Sequence, residues 1–171
     1  MLPPETLAQA AALLDTLQAR GLTLATAESC TGGLVAAAVT AIAGSSATLL
    51  AGYVTYSNEA KTRSVGVDPA LIGRLGAVSA EVAAAMAEGA TRESGAGMGI
   101  STTGIAGPGG GTATKPVGLV YVGVALAGQP ARVEGHVFPG DRAAVRAATV
   151  ATAFRMAAEA ASSFTSPGIS A

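Results

Sequence analysis

The sequence has little of what many proteins use to bind metals and nucleic acids. Its 171 residues contain one cysteine, one histidine and no tryptophan, and aromatic residues make up 4% of the chain. A single cysteine excludes an intrachain disulfide and a cysteine-based zinc cluster, and a single histidine excludes a histidine-rich metal site. Few aromatic side chains argue against the stacking platforms that bind single-stranded nucleic acid. We therefore expect no bound metal and no other cofactor.

Charge and long apolar runs are scarce as well. The formal net charge is −1 and no basic cluster stands out, so nucleic-acid binding has little support. No apolar run approaches the length needed to cross a bilayer. Residues 1–6, M-L-P-P-E-T, lack the basic start and apolar stretch of a signal peptide. These absences predict a cytoplasmic protein that binds neither nucleic acid nor membrane.

What the chain does have is a pattern of alternating strands and helices in a sequence that is 50% hydrophobic. This pattern predicts an α/β protein, a three-layer α/β/α sandwich with a mixed, mainly parallel five-stranded sheet. The short link 128–130 permits only a hairpin, which makes the sheet mixed. The fourth strand, 117–126, is apolar at nearly every position and is therefore predicted to be central. We expect one domain over residues 1–162 and a loose tail over 163–171.

The stretch around which the chain is organised is residues 25–34, A-T-A-E-S-C-T-G-G-L, which indicates a strand, a tight turn and a helix. A hydroxyl at such a turn lies beside backbone N–H groups that lack helical partners, where negative charge is favoured. Ser29 is thus a candidate nucleophile, with an oxyanion site supplied by the backbone behind it. The alternative, favoured by this stretch alone, is that Ser29 or Thr31 merely caps the helix. Cys30 is interpreted as a small buried thiol.

Tyr56 and Lys61 follow the end of the second predicted strand. Because ligands of open α/β sheets bind at the carboxyl ends of the strands, both residues are expected to face the same crevice as Ser29. A lysine that burial or a nearby cation deprotonates can take the proton of a serine. Lysine is rare here, since only Lys61 and Lys115 are lysines among ten basic residues, and arginine cannot supply a removable proton. The alternative is that Lys61 is a solvated residue on a short helix.

A glycine-rich loop follows the third predicted strand and runs over residues 104–116. It matches neither the Walker A pattern nor a dinucleotide-binding fingerprint, because residues 115–116, Lys-Pro, lead into a strand. Thirteen irregular residues in a compact domain are often functional, although a flexible surface loop is the alternative. Asp141 and Arg142 open the last predicted helix. Capping of the helix by Asp141 explains this pair as well as binding of a phosphate by Arg142 does. His136 lies mid-strand without an obvious acidic partner and is taken as structural.

Three motifs resemble the CinA C-terminal domain family, which includes the bacterial nicotinamide mononucleotide (NMN) amidohydrolases. They are A-E-S-C-T-G-G-L at 27–34, Y-S-N-x-x-K at 56–61 and T-G-I-A-G-P-G-G-G-T-x-x-K-P-V-G at 103–118. The resemblance extends over about residues 7–160, and the core motifs show no departure. It implies a three-layer sandwich with a mixed five-stranded sheet. Many relatives carry an additional N-terminal domain that resembles molybdopterin-binding proteins, and this chain is expected to be the stand-alone form.

The resemblance also implies an activity and its residues. The activity is hydrolysis of the NMN carboxamide to nicotinate mononucleotide and ammonia by a Ser/Lys mechanism without metal or cofactor. Ser29 matches the family serine, Lys61 the lysine, Tyr56 the tyrosine beside them and Arg142 an arginine after the last strand. The residues assigned to substrate binding are Cys30, Thr31, Gly32, Thr103, Gly104, Gly107, Gly109, Gly110 and Arg142. A homo-oligomer, first of all a dimer, is expected.

Two functions follow from the sequence. The first is the NMN amidohydrolase. The alternative is a catalytically silent module that acts through protein contacts in competence or DNA-damage responses. Intact Ser29, Tyr56 and Lys61 favour the enzyme.

Overall fold

The computed structural model describes residues 2–164. These residues form one five-stranded sheet with six α-helices. The elements in chain order are α1 (Pro4–Ala19), β1 (Leu24–Glu28), α2 (Leu34–Thr40), a 3₁₀ turn (Ser45–Ala47), β2 (Leu49–Val54), α3 (Asn58–Val65), α4 (Pro69–Leu75), α5 (Ala80–Ser94), β3 (Met98–Gly104), β4 (Leu119–Leu126), β5 (Arg132–Val137) and α6 (Arg142–Ser163). The predicted tail, 163–171, lies outside the described residues from 165 onward, and Ser163 still belongs to α6.

The sheet has the strand order β2-β1-β3-β4-β5. Strand β1 is parallel to both β2 and β3, whereas β4 is antiparallel to β3 and to β5. Four strands therefore run in one direction and only β4 runs in the other, which confirms the mixed, mainly parallel sheet. β4 is an internal strand, but the central position belongs to β3. The apolar sequence of β4 is explained by burial on both faces, which is common to all internal strands.

Side-chain caps begin four of the helices at the residues that the sequence predicts. The backbone N–H groups of the first turns donate to Ser57, Asp68, Ser79 and Asp141, for α3, α4, α5 and α6 respectively. Each cap satisfies a donor that has no partner inside its own helix. The helix α2 differs, because its N-cap is Gly33, which offers no side chain.

Helices cover both faces of the sheet and bury a separate apolar core on each. One face packs against α1, α2 and α6, and the other against α3, α4 and α5. Within residues 2–164, no helix combines the length and the apolar character that a membrane span requires.

Helix α5 approaches the sheet closely because glycines lie beneath it. A β-carbon added at Gly99 of β3 would collide with the carbonyl of Ala87, and one at Gly123 of β4 would lie 2.8 Å from the carbonyl oxygen of Ala83. Gly89 of α5 lies in the same way against the backbone of Val65, the last residue of α3. The small residues that dominate the composition thus set the spacing of this layer.

A charged network covers the outer edge of the sheet. Glu134 of β5 accepts from Arg132, Arg155 and His136, and Glu159 of α6 accepts from the two arginines. Hydrogen bonds from Arg155 are the main reason that the pKa of Glu134 falls to about 2. His136 therefore has an acidic partner after all. The alternation of side chains along a strand places residues 134 and 136 on one face, so the pairing was readable from the sequence.

Candidate active site

The carboxyl ends of four strands meet at one edge of the sheet, because β1, β2, β3 and β5 run in the same direction. Ser29 follows β1, residues 55–57 follow β2, the glycine-rich loop follows β3, and Arg142 begins the helix after β5. This is the edge at which ligands of open α/β sheets bind. The topology thus gathers segments that are more than a hundred residues apart in the sequence.

Ser29 and Lys61 lie in direct contact. Lys61 Nζ is 3.1 Å from Ser29 Oγ. The lysine is 1% exposed, although it comes from an eight-residue helix with a polar sequence. No Asp or Glu of residues 2–164 lies within 4.0 Å of its amino group. The alternative that Lys61 is a solvated surface residue is therefore wrong.

Backbone carbonyls direct the amino group of Lys61. Nζ also donates to the carbonyl oxygens of Thr55, at 2.8 Å, and Tyr56, at 3.4 Å. A neutral amine has two N–H donors and one lone pair. In the ammonium form all three N–H groups donate, one of them to Ser29 Oγ. In the neutral form, with both donors on the carbonyls, the lone pair is left for the hydroxyl of Ser29, as proton transfer from the serine requires.

The environment of Lys61 makes this neutral form more accessible than it is in a free lysine. Burial removes hydration from the ammonium group and lowers the pKa of Lys61 from its usual 10.5, while the more distant Cys30 and Glu59 act in the opposite direction. The proton is therefore released at a lower pH than from a free lysine, and the base form becomes available as the pH rises through this lowered value.

We accordingly expect the rate of any reaction that uses Lys61 as its base to rise with pH. The apparent pKa of the rising limb of kcat/KM should lie below 10.5, since the folded protein disfavours the charged form. A pH–rate profile measured over a range in which the protein stays folded checks this. A flat profile, or one that rises only near the pKa of free lysine, would contradict the role.

Glu28, the residue before Ser29, is the centre of the turn, and the sequence interpretation overlooked it. Its 1% exposed carboxylate accepts hydrogen bonds from three backbone N–H groups of the turn and α2, at 2.8–3.0 Å, and from the hydroxyls of Thr26 and Thr31. The alternative that Ser29 or Thr31 caps α2 is wrong, because the side chain of Glu28, in β1, accepts from the N–H groups at the start of the helix. The first N–H groups of α2 are thus not free for an oxyanion.

Glu28 holds the turn that carries Ser29. We therefore expect Glu28→Gln to lower activity although residue 28 makes no contact with the substrate. The amide presents an NH₂ group to donors that need acceptors. We predict a free energy of unfolding lower by about 2 kcal/mol, the scale of a lost hydrogen bond to a charged group, together with a lower kcat and a nearly unchanged KM. Urea unfolding and steady-state kinetics measure both effects. Glu88→Gln, at the opposite end of the sheet, is the matched control and should leave kcat intact; an active Glu28→Gln protein would show that the turn does not depend on this carboxylate.

Two backbone donors remain available beside Ser29. In residues 2–164, no oxygen atom accepts from the N–H groups of Cys30 and Thr31, although the Cys30 N–H lies against its own thiol, whereas the N–H of Gly32 closes the turn onto the carbonyl of Ser29 at 3.1 Å. Positive φ angles at Gly32 and Gly33, +60° and +99°, permit this tight path. The Cys30 thiol is buried, and mainly for that reason its pKa rises to about 11. The thiol is thus a poor nucleophile at neutral pH.

Tyr56 reaches the site through its backbone rather than through its ring. Its carbonyl contacts Lys61, but its side chain is 60% exposed, and its hydroxyl accepts from Arg142 at 3.1 Å. The ring thus contacts Arg142 and not Lys61 in this structure, and the catalytic role that the resemblance implies for Tyr56 stays a prediction. Arg142 also donates to the carbonyl of Gly107 at 2.9 Å, so it ties the glycine-rich loop to Tyr56.

The predicted loop residues fall into two groups. Thr103 and Gly104 end β3; Thr103 is buried and its hydroxyl donates to the carbonyl of Ala77, while Gly104 lies against β4. Gly107 is buried below the loop, and Gly109 and Gly110 are exposed at its tip. Their assignment to substrate binding stays a prediction. Lys115 Nζ donates to the carbonyl of Leu75 at the end of α4, so it anchors the returning half of the loop.

A cavity of about 630 Å³ lies between the loop and the start of α6. Its lining includes Gly107, Pro108, Arg142 and Arg146. Arg146 was not singled out from the sequence; its only signal there was its place one helical turn after Arg142. Among the described residues, no three His, Cys, Asp or Glu side chains gather as metal ligands.

The fold and the site define an α/β/α sandwich with a serine and a buried lysine at the carboxyl edge of a mixed sheet. The model of the CinA C-terminal domain matches residues 6–161. The chain belongs to this family, as the sequence motifs had indicated.

Individual relatives agree with the family model. A CinA-like protein of Geobacter sp. (strain M21) is 60% identical over 137 residues, which are 80% of this chain and 33% of that protein. The chain thus spans about a third of the length of such curated relatives. The solved structure of the competence/damage inducible protein CihA from Agrobacterium tumefaciens is 42% identical with a TM-score of 0.88, covering 91% of this chain and 95% of that one. A CinA superfamily protein from Klebsiella pneumoniae 700603 gives 35% identity and a TM-score of 0.89, with 93% and 99% covered.

Proposed function

We propose that the protein hydrolyses the carboxamide of NMN to nicotinate mononucleotide and ammonia. The observation that carries the proposal is the contact between Ser29 Oγ and the amino group of Lys61, which is buried and has no carboxylate partner in residues 2–164. This pair supplies a nucleophile and a base in one hydrogen bond. The motif resemblance supplies the substrate.

The proposed reaction has two halves. Ser29 Oγ attacks the carboxamide carbon while Lys61 takes the hydroxyl proton, and the N–H groups of Cys30 and Thr31 donate to the developing oxyanion. Lys61 then gives the proton to the leaving nitrogen, the C–N bond breaks, and ammonia departs from an acyl-serine. Water, deprotonated by Lys61, attacks the ester carbon; the C–O bond to Ser29 breaks and the serine regains its proton.

Ammonia release from NMN by the purified protein tests this proposal. Release that depends on NMN and disappears with Ser29→Ala would support it. A folded protein that releases no ammonia from any of several pyridine nucleotides would refute it.

The phosphate of the substrate belongs to the proposal, because the cavity between the glycine-rich loop and α6 is lined by Arg142 and by residues of that loop. Nicotinamide riboside, which lacks the phosphate, should react with a kcat/KM lower by about tenfold or more, the scale of a charge-assisted hydrogen bond. Parallel ammonia assays with NMN and the riboside measure this ratio. Equal values would remove the case for phosphate recognition.

The second candidate is a catalytically silent interaction module. The names of solved relatives, which refer to competence and damage induction, favour it. The ammonia assay separates the two candidates, since a silent module releases none.

A homodimer in the cytoplasm completes the proposal. Its support is the edge strand β2, where Leu50 and Val54 expose 49% and 55% of their surface on the same face. Light scattering after size-exclusion chromatography tests the dimer; a monomer at all concentrations would contradict it.

A further inference from the structure

Helix α6 presents two arginines, Arg142 and Arg146, one turn apart on the wall of the 630 Å³ cavity. Within residues 2–164, neither has an Asp or Glu oxygen within 4.0 Å, whereas Arg132 and Arg155 are both paired with glutamates. Among the described residues these two guanidinium groups have no carboxylate in contact, although Asp141 lines the same wall, and a pair of guanidinium groups on one concave wall can bind a phosphate monoester.

Arg146 also contacts the turn that carries Ser29. Its Nη2 donates to the carbonyl of Thr31 at 2.7 Å and lies beside Gly32. Its Nε is buried and has no hydrogen-bond partner, which is unusual for a polar atom of a folded protein. The guanidinium thus donates to the turn through Nη2, its buried Nε has no partner among the described residues, and the side chain as a whole lines the cavity.

We propose that Arg142 and Arg146 together bind the phosphate dianion of the substrate, and that Arg146 couples this binding to the turn of Ser29. The identity of the substrate rests on the proposed function, but the anion site rests on the two arginines alone. Arg146 is then a positioning residue, since it contacts the anion and the turn but not the reacting amide.

The coupling has a simple physical origin. A planar guanidinium offers several donors in a fixed geometry, so an anion that fixes one edge also fixes the other. The edge on Thr31 O restrains the peptide between Thr31 and Gly32, within the turn that Ser29 O closes. Binding energy from the remote phosphate is thereby used to order the nucleophile and the two N–H donors, which raises kcat and not only affinity.

Calorimetric titration with ribose 5-phosphate tests the anion site without turnover, and ribose is the control ligand. Ribose 5-phosphate should bind the wild-type protein and should bind Arg142→Gln and Arg146→Gln about tenfold or more weakly. Arg63→Gln, on α3 and outside this cavity, should bind as the wild type does. Absence of binding to the wild-type protein, or equal affinity in all variants, would overturn the site.

The coupling is tested by supplying the nicotinamide riboside part of the substrate and a separate phosphate analogue, inorganic phosphite. Inorganic phosphite should accelerate hydrolysis of nicotinamide riboside by the wild-type protein about tenfold or more. Arg146→Lys keeps the charge but not the two-edged geometry, so it should retain ribose 5-phosphate binding within a few-fold and lose the acceleration. No acceleration in a wild-type protein that binds ribose 5-phosphate and hydrolyses NMN would overturn the coupling. If ribose 5-phosphate binds and the binding depends on the two arginines, but NMN is not hydrolysed, the proposed function is refuted and the anion site is supported.

Discussion

Replacing Lys61 by arginine is expected to lower kcat for NMN by about a hundredfold or more, the usual scale of lost acid–base catalysis. Arginine keeps the positive charge and much of the length, but it does not give up its proton in proteins and cannot accept one from Ser29. The buried position also has no carboxylate to neutralise a permanent cation. Steady-state kinetics across the pH range, with circular dichroism to confirm folding, give the result.

The matched control is the same change at the other lysine of the chain. Lys115 donates to the carbonyl of Leu75, a contact that a guanidinium can also make, so Lys115→Arg should stay close to wild-type activity. If Lys61→Arg does not fold, Lys61→Met supplies a neutral side chain of similar length for the same comparison. Near-normal turnover by a folded Lys61 variant would mean that another group takes the proton.

Ser29→Ala is expected to abolish turnover, with a loss of about 10⁴-fold or more, while NMN still binds. The change deletes one oxygen atom from a half-buried residue and leaves the turn intact, because Glu28 and not the serine hydroxyl holds it. Calorimetric titration with NMN should therefore give a dissociation constant close to the KM-derived affinity of the wild type. Rapid quenching with labelled NMN should detect no acyl-enzyme in the variant.

The adjacent thiol is the natural control for this experiment. Cys30 is buried, and the pKa of its thiol, about 11, keeps it protonated at neutral pH. Cys30→Ala should thus retain most of the activity. An active Ser29→Ala protein together with an inactive but folded Cys30→Ala protein would transfer the nucleophile to the cysteine.

Local chemistry made much of the fold predictable. The caps at Ser57, Asp68, Ser79 and Asp141 each depend on residues within one turn, so the sequence alone locates the starts of four helices. The strand order could not be predicted in the same way, because β3 pairs with β1 across more than seventy residues and nothing local fixes that choice. The apolar pattern of β4 marked an internal strand but not which one.

The site residues that belong to sequence motifs could be predicted. The contacts that depend on the direction of a side chain could not. Ser29 and Lys61 were placed together by the rule that parallel strands share their carboxyl edge. The ring of Tyr56 turns instead to Arg142, and Glu28 caps a helix that begins six residues later; both depend on the three-dimensional path of the turn. Arg146 contacts Thr31 across 115 residues of sequence, so no local pattern could indicate this contact.

The two layers of helices divide the site between them. Lys61 belongs to α3, which α5 holds against the sheet through glycine contacts, whereas Arg142 and Arg146 belong to α6 on the opposite face. The proposed anion site and the proposed base therefore lie on separate layers of the fold. We expect substitutions in α6 and the loop to change which anion is accepted while the base keeps its position, and one methyl group added under α5 to disturb the base without any change at the cavity.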